Sequence, residues 1–443
     1  MTTSATFVDL RINNAEQFKE SVSEPTPNTK IYLTFGKVDA WANDASPNVA
    51  NSSVATAYEI WSNMIGGKRI LGNDVQHMIP RFNWTANTVY TAYDHINSNL
   101  YDGNTQFYVI NSDYSVYKCI ANANSSNSTV EPTSVNPAIT SSTSDGYLWK
   151  YMYTLNDYEK TRFLTDSYIP VKTLTVDDGS VQWTVQQNAE RGSIEHIEVT
   201  NSGSNYTNIS NVTITITGDG SSATAIPVLN TSSNTVASII MTNPGTNYTY
   251  ATVSITDTGV GSGALARAII SPLDGHGSNP LYELGGKNIM ISTRIQYSEN
   301  GILPETNDLR QIALLKDPYL RSTSNVSTNT AILQAISITA LGSGNYVEDE
   351  IVYQGASLAT STYRGRVVSW NSTTNKLLLI NTQGNPVASQ SIIGSSSFTV
   401  RTISGIEDSN LEKYTGRILY VDNIKPVTRS SDQIEEYRIL IKF

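Results

Sequence analysis

Apolar and polar residues alternate with a period of two along almost the whole chain, in short runs separated by Gly, Asn, Asp and Pro, and this spacing commits it to strands. Ile31-Tyr32-Leu33-Thr34-Phe35 is one such run. Others are Phe107-Tyr108-Val109-Ile110, Ser115-Val116-Tyr117-Lys118-Cys119-Ile120 and Tyr437 to Phe443. Composition agrees, because Asn, Ser and Thr are dense and Tyr, at 25, far outnumbers Phe, at 8, a mixture suited to strands and turns. Two stretches carry helical spacing instead. Asn14 to Val22 places Phe18 and Val22 four residues apart, and Val54 to Ile65 repeats Ala57, Ile60, Trp61 and Met64. Gly66 and Gly67 are expected to cap the second helix, with Lys68 and Arg69 near its negative end.

The 443 residues exceed one ordinary domain and suggest roughly two to four units. An internal repeat occupies the middle of the chain. Ile197-Glu198-Val199-Thr200-Asn201-Ser202-Gly203-Ser204-Asn205-Tyr206-Thr207 returns as Ile239-Ile240-Met241-Thr242-Asn243-Pro244-Gly245-Thr246-Asn247-Tyr248-Thr249. After it, Val212, Ile214, Gly218, Gly220, Ala223 and Ala225 return as Val253, Ile255, Gly259, Gly261, Ala264 and Ala266. Two copies fall short of the three or more that a solenoid needs, so a compact β module is expected. A second such stretch runs from about Ile332 to Ser404. Its hairpin, Gly365 to Trp370 and Lys376 to Ile380 joined by Asn371 to Asn375, is material for a small barrel or sandwich.

The net charge of −10, with no block of Lys and Arg, repels a phosphate backbone, so nucleic acid is not an expected partner. No apolar run approaches the roughly 18 to 20 residues that cross a bilayer, and Met1 to Asp9 lacks the basic and then apolar pattern of a leader. Synthesis in a cytoplasm and no membrane partner are therefore expected. The Asn-x-Ser/Thr triplets at Asn51, Asn83, Asn205, Asn211 and Asn247 then follow from composition rather than glycosylation. Cys119 is the one cysteine, which excludes an intrachain disulfide and a Cys-rich metal site.

Chemistry has few candidates. Of the histidines His77, His95, His196 and His276, no two are spaced as metal ligands on one element. Asp94-His95 and Asp274-Gly275-His276 each pair a carboxylate with an imidazole, as acid-base or metal chemistry would require, yet both are read as structural, the second because Asp and Gly serve a turn. Gly66-Gly67-Lys68-Arg69 lacks the upstream glycine and the following Ser or Thr of a phosphate loop, and no Gly-x-Ser-x-Gly elbow occurs. No catalytic, cofactor-binding or metal-ligating residue is expected, and no cofactor. Tyr147, Trp149, Tyr151 and Tyr153 occupy successive same-face positions of one strand. Such a stripe suits sugar binding, but Leu148 and Met152 between them are also apolar, so a sheet covered on both faces is expected.

Several motifs follow in a fixed order. They are Ile31-Tyr32-Leu33-Thr34-Phe35-Gly36-Lys37 with Trp41, then Trp61, Met64, Ile79-Pro80-Arg81 and Trp84, then Val116-Tyr117-Lys118-Cys119. Asp145-Gly146-Tyr147-Leu148-Trp149, Tyr168-Ile169, Leu309-Arg310-Gln311-Ile312 and Asp317-Pro318 come next. Thr415-Gly416, Tyr420, Asn423, Pro426, Asp432-Gln433 and Glu435-Glu436 lead to Phe443. In these blocks the chain resembles the baseplate wedge protein family encoded by gene eight of T-even-type contractile-tail myophages. The resemblance implies a mainly β fold, a three-layer β-sandwich core with helix-bearing loops, to which this chain adds two inserted small β modules. The wedge core would comprise 1–190, 273–331 and 408–443, the inserted two-copy repeat module 191–272, and the inserted small barrel or sandwich 332–407. It further implies a non-enzymatic structural protein of the virion tail baseplate, a homodimer that contacts other baseplate wedge proteins and rearranges when the tail contracts. The rival reading is a peripheral tail protein that binds host glycans through the inserted modules, with Tyr206, Tyr248 and Tyr250 as its aromatics.

Overall fold

The computed structural model describes residues 5–24, 29–137, 141–296, 308–428, 430 and 432–443 and is mainly β, as the period-two alternation predicts. It divides into two compact units. One comprises Met1–Gln17, Gln76–Met290 and Leu440–Phe443, the other Phe18–Val75 and Ile291–Ile439.

In the first unit an antiparallel sheet runs in the order Tyr108–Ile110, Ser115–Asn122, Tyr147–Thr154, Ser141–Ser142. Val116 pairs with Tyr153 but Tyr117 pairs with Tyr151, which leaves Met152 as the extra residue of a bulge. The bulge splits the aromatic stripe. Tyr147, Trp149 and Tyr151 stay on one face with Tyr90, Tyr117, Cys119 and Val185, whereas Tyr153 joins Val116, Tyr108, Met152 and Ile169 in a second core. The single face expected from spacing therefore holds for three of the four, because an extra residue reverses the alternation. All four are buried, and the sheet is covered on both sides. Strand Val75–Pro80, paired with Tyr168–Val171, brings Ile79 into the second core.

The repeat folds as two interlocked copies. The first supplies strands Ile194–Ser204, Val212–Gly218 and Thr224–Asn230, and the second Thr235–Asn243, Ala251–Asp257 and Ser262–Ile270. The first strand of each copy pairs with the third strand of the other, and the two middle strands pair together with Ile214 opposite Ile255. Equivalent residues Ile197 and Ile239 meet where the two first strands touch. Each copy also lends the other a glycine. A Cβ on Gly261 would lie 2.5 Å from the Tyr206 ring, and one on Gly220 would lie 2.4 Å from the Tyr248 ring. One shared apolar core results, so two copies suffice where a solenoid needs more. Tyr206 and Tyr248 are part of that core, and Tyr250 is the exposed tyrosine of the three, at 62%.

The second unit contains a five-stranded antiparallel sheet in the order Ala331–Leu333, Met64–Arg69, Ile31–Gly36, Asp308–Lys316, Arg417–Thr428. Helix Val54–Asn63, capped by the Ser53 side chain on Thr56 N, sends Ile60 and Trp61 against Tyr32, Leu315 and Ile332. That helix ends sooner than its spacing predicts. Met64 to Arg69 form a strand, so Gly66 and Gly67 are not a helix cap; Gly67 lies opposite Thr34, where a Cβ would stand 2.8 Å from Leu33 O. Apolar residues continue across the boundary, which makes the change of period invisible in the sequence. The helix read at Asn14 to Val22 is longer than expected, Val8–Ser23. Arg310 pins the loop after Ile31–Gly36, because its guanidinium donates to Asp44 (3.1 and 3.0 Å), to Asp308 (2.9 Å) and to Val38 O.

A closed barrel completes this unit. Its strands run Ile336–Gly342, Lys376–Gln383, Tyr363–Asn371, Ile351–Gln354, Ser391–Gly394, Val400–Glu407 around Ile338, Val352, Tyr363, Val367, Leu379 and Ile392. The hairpin legible in the sequence forms two of its six strands.

Candidate functional site

Ionic groups converge inside the first unit. Lys118 and Lys150 are cross-strand neighbours on Ser115–Asn122 and Tyr147–Thr154, and both are buried. Like charges side by side in an apolar interior need a counter-charge, and Glu283 supplies it. Its Oε2 accepts from Lys118 Nζ at 2.8 Å, while its Oε1 accepts from Gly277 N (2.8 Å) and Asn279 N (3.1 Å). The Lys118 ammonium also lies 4.2 Å from the centre of the Tyr93 ring, which meets His276 edge to face at 4.8 Å.

Burial sets the protonation here. It lowers the Lys118 ammonium, an effect that Glu283 opposes, and it raises the Glu195 carboxyl. Burial, followed by the fields of Lys118 and Lys150, holds His276 neutral, far below the usual imidazole range. An open cleft of about 1050 Å³ reaches this cluster, lined among others by Phe7, Tyr93, His95, Leu273, Glu283 and Lys287.

Neither carboxylate and imidazole pair read in the sequence forms a catalytic dyad. Both oxygens of Asp94 are taken by Arg267, at 2.9 Å each, and Arg267 reaches Glu198 as well at 2.6 Å. His95 Nδ1 lies 3.6 Å from Asp94, accepts from Ile270 N at 3.3 Å, and is lowered first by burial. Asp274 is exposed while His276 is 1% exposed, so the turn separates them. His77 is buried with Nδ1 3.0 Å from Gly286 O, and burial holds His196 down at about 4. Among the described residues no three His, Cys, Asp or Glu gather as metal ligands. Cys119 is buried, and burial raises its thiol well above the usual range, the opposite of what a nucleophile needs. Lys68 of the Gly66-Gly67-Lys68-Arg69 segment donates to Arg294 O at 2.6 Å.

Lys118, Glu283, Arg267 and Asp94 are what sequence reading missed as a set. One signal was present: Lys118 interrupts an apolar strand, where a charge must either face water or find a buried partner. Its partner lies 165 residues away. The arrangement holds elements together by charge-assisted hydrogen bonds.

Comparison with known proteins covers the first part of the chain. The family model described as Bacteriophage T4, Gp8 matches residues 4–135. No curated protein matches the chain. The matched stretch contains Ile31 to Lys37, Trp41, Trp61, Ile79-Pro80-Arg81, Trp84 and Val116 to Cys119, the first of the ordered motifs. It spans two neighbouring inner strands of the second unit's sheet, Met64–Arg69 and Ile31–Gly36, and the strand that carries Lys118. Over that stretch, about 30% of its length, the chain is similar to the Bacteriophage T4 Gp8 family.

Proposed function

We propose that the chain acts without catalysis as a homodimeric baseplate wedge component, joining neighbouring wedge proteins and exchanging one set of protein contacts for another when the tail contracts. The family match over residues 4–135 carries this reading. Support comes from the interior, where Asp94, His77, His95, His276 and Cys119 are engaged in internal contacts or sealed by burial. Such a switch requires interfaces of comparable stability in two states rather than a reactive group. Light scattering after size exclusion should give a particle of twice 48.3 kDa at micromolar concentration; a single 48.3 kDa species would sink the dimer.

Residues 191–272 and 332–407 are, in this reading, modules threaded into the wedge core at 1–190, 273–331 and 408–443. Both have neighbouring ends. Ser271 N donates to Ser193 O at 2.9 Å beside the Ile194 and Ile270 pair, and Asn410 N donates to Leu333 O at 2.8 Å while Asn410 Oδ1 accepts from Leu333 N. Closing such a gap with a short linker costs little chain entropy. A variant with residues 192–271 replaced by a Gly-Ser linker should stay soluble, folded and dimeric by circular dichroism and light scattering. Unfolding of the remainder would show that the repeat belongs to the core. A folded variant that fails to enter baseplates would make the module a contact surface for neighbouring tail proteins. Glycan binding by the repeat is the weaker reading, since burial of Tyr206 and Tyr248 leaves it Tyr250.

A further inference from the structure

One end of the barrel is built as a rigid tip. The loops 343–350 and 395–399 meet there on the Glu350 carboxylate, which is 5% exposed and accepts from Val347 N, from Ser396 N and Oγ, and from Ser397 N and Oγ, at 2.8 to 3.1 Å. Arg401 fastens the same end by donating to Gly344 O, Ala340 O and Asn375 Oδ1, with its guanidinium stacked 4.5 Å over Trp370. What this bracing presents to solvent is apolar. Phe398 is 80% exposed, and Val347, in the first of these loops, and Val400, directly after the second, are 53% and 52% exposed.

Phe398 also has φ +54, a left-handed conformation that disfavours any side chain with a Cβ. Glycine would relieve that strain, and no internal packing repays an aromatic held out in water. A backbone strained to display an exposed aromatic is a feature of contact sites rather than of folding. The flanking charge narrows the partner. Glu348 and Asp349, both exposed, follow Val347 and give this end of the barrel an acidic edge. Such a tip is repelled by anionic phosphate headgroups, and a fluid bilayer gains nothing from fixed geometry.

We propose that this barrel end is a docking tip that seats Phe398 in an apolar pocket rimmed by basic side chains on a neighbouring tail protein, an inference that rests on the baseplate reading above. The test uses virions carrying p-benzoylphenylalanine in place of Phe398, irradiated and resolved by mass spectrometry, together with Phe398→Gly. The cross-link should join this chain to one other tail protein. Because glycine relaxes the backbone, Phe398→Gly should melt no lower than the parent, yet compete about 10-fold or more worse than the parent for incorporation into tails. Incorporation equal to the parent overturns the tip. So does a cross-link confined to a second copy of this chain, or flotation with phosphatidylglycerol vesicles that Phe398→Gly abolishes. If immunoblots find the chain in tails but unlinked at 398, the tip alone fails; if the chain is absent from tails, the wedge reading fails with it.

Discussion

Lys118→Met is expected to destabilise the fold by about 3 to 5 kcal/mol, read from urea unfolding followed by tryptophan fluorescence. Removing the ammonium takes away the 2.8 Å partner of the Glu283 carboxylate, whose side chain is 3% exposed. The bonds from Gly277 N and Asn279 N survive, but they do not neutralise it. Pairing the change with Glu283→Gln should recover part of the loss, because the amide keeps an acceptor for those two N–H groups without the charge. A loss below about 1 kcal/mol for Lys118→Met alone would mean that water entering from the cleft screens Glu283 and that the ion pair contributes little.

Trp149→Ala should cost a similar amount, about 3 to 5 kcal/mol, for a different reason. Its ring is fully buried, stacked on Tyr147 at 5.5 Å and 14°, edge-on to Tyr90 at 5.5 Å, and opposite Cys119 across the strands. Tyr147 and Cys119 lie on paired strands and cannot collapse into the gap. Among the described residues the indole Nε1 has no hydrogen-bond partner, so the ring contributes volume and stacking rather than a polar contact. Trp149→Phe should accordingly lose only about 1.5 kcal/mol, since it keeps an aromatic face and removes an unsatisfied donor. If Phe proved as costly as Ala in the same unfolding assay, the indole N–H would have a bond that this packing does not contain.

Much of the architecture was legible because it depends on local period and on turn residues. The repeat announced itself through Gly203 and Gly245, Asn205 and Asn247, and all four adopt the positive φ that such turns require. The hairpin across Asn371 to Asn375 was equally plain, and it formed as read. What stayed hidden depends on pairing between distant residues. No spacing reveals that each repeat copy completes its sheet with the other's third strand, or that Met152 bulges and turns Tyr153 to the opposite face. The strand at Met64 was concealed because a buried helix end and a buried strand carry the same apolar residues. The ionic cluster stayed hidden because Lys118, Lys150, Glu195 and Glu283 lie on separate elements, so that Lys118 within its apolar strand signals a buried charge without naming its partner.

The central claim is that this chain is a structural part of the tail baseplate, and a cryo-EM reconstruction of the intact tail tests it most directly. The account predicts density for the five-stranded sheet and the six-stranded barrel within the baseplate, repeated around the tail tube as dimers in contact with other wedge proteins, with no bound substrate at the cleft beside Tyr93. Finding the chain instead at the distal end of a fibre with a glycan held against the repeat module, or finding no copy of it in the virion, would contradict the account.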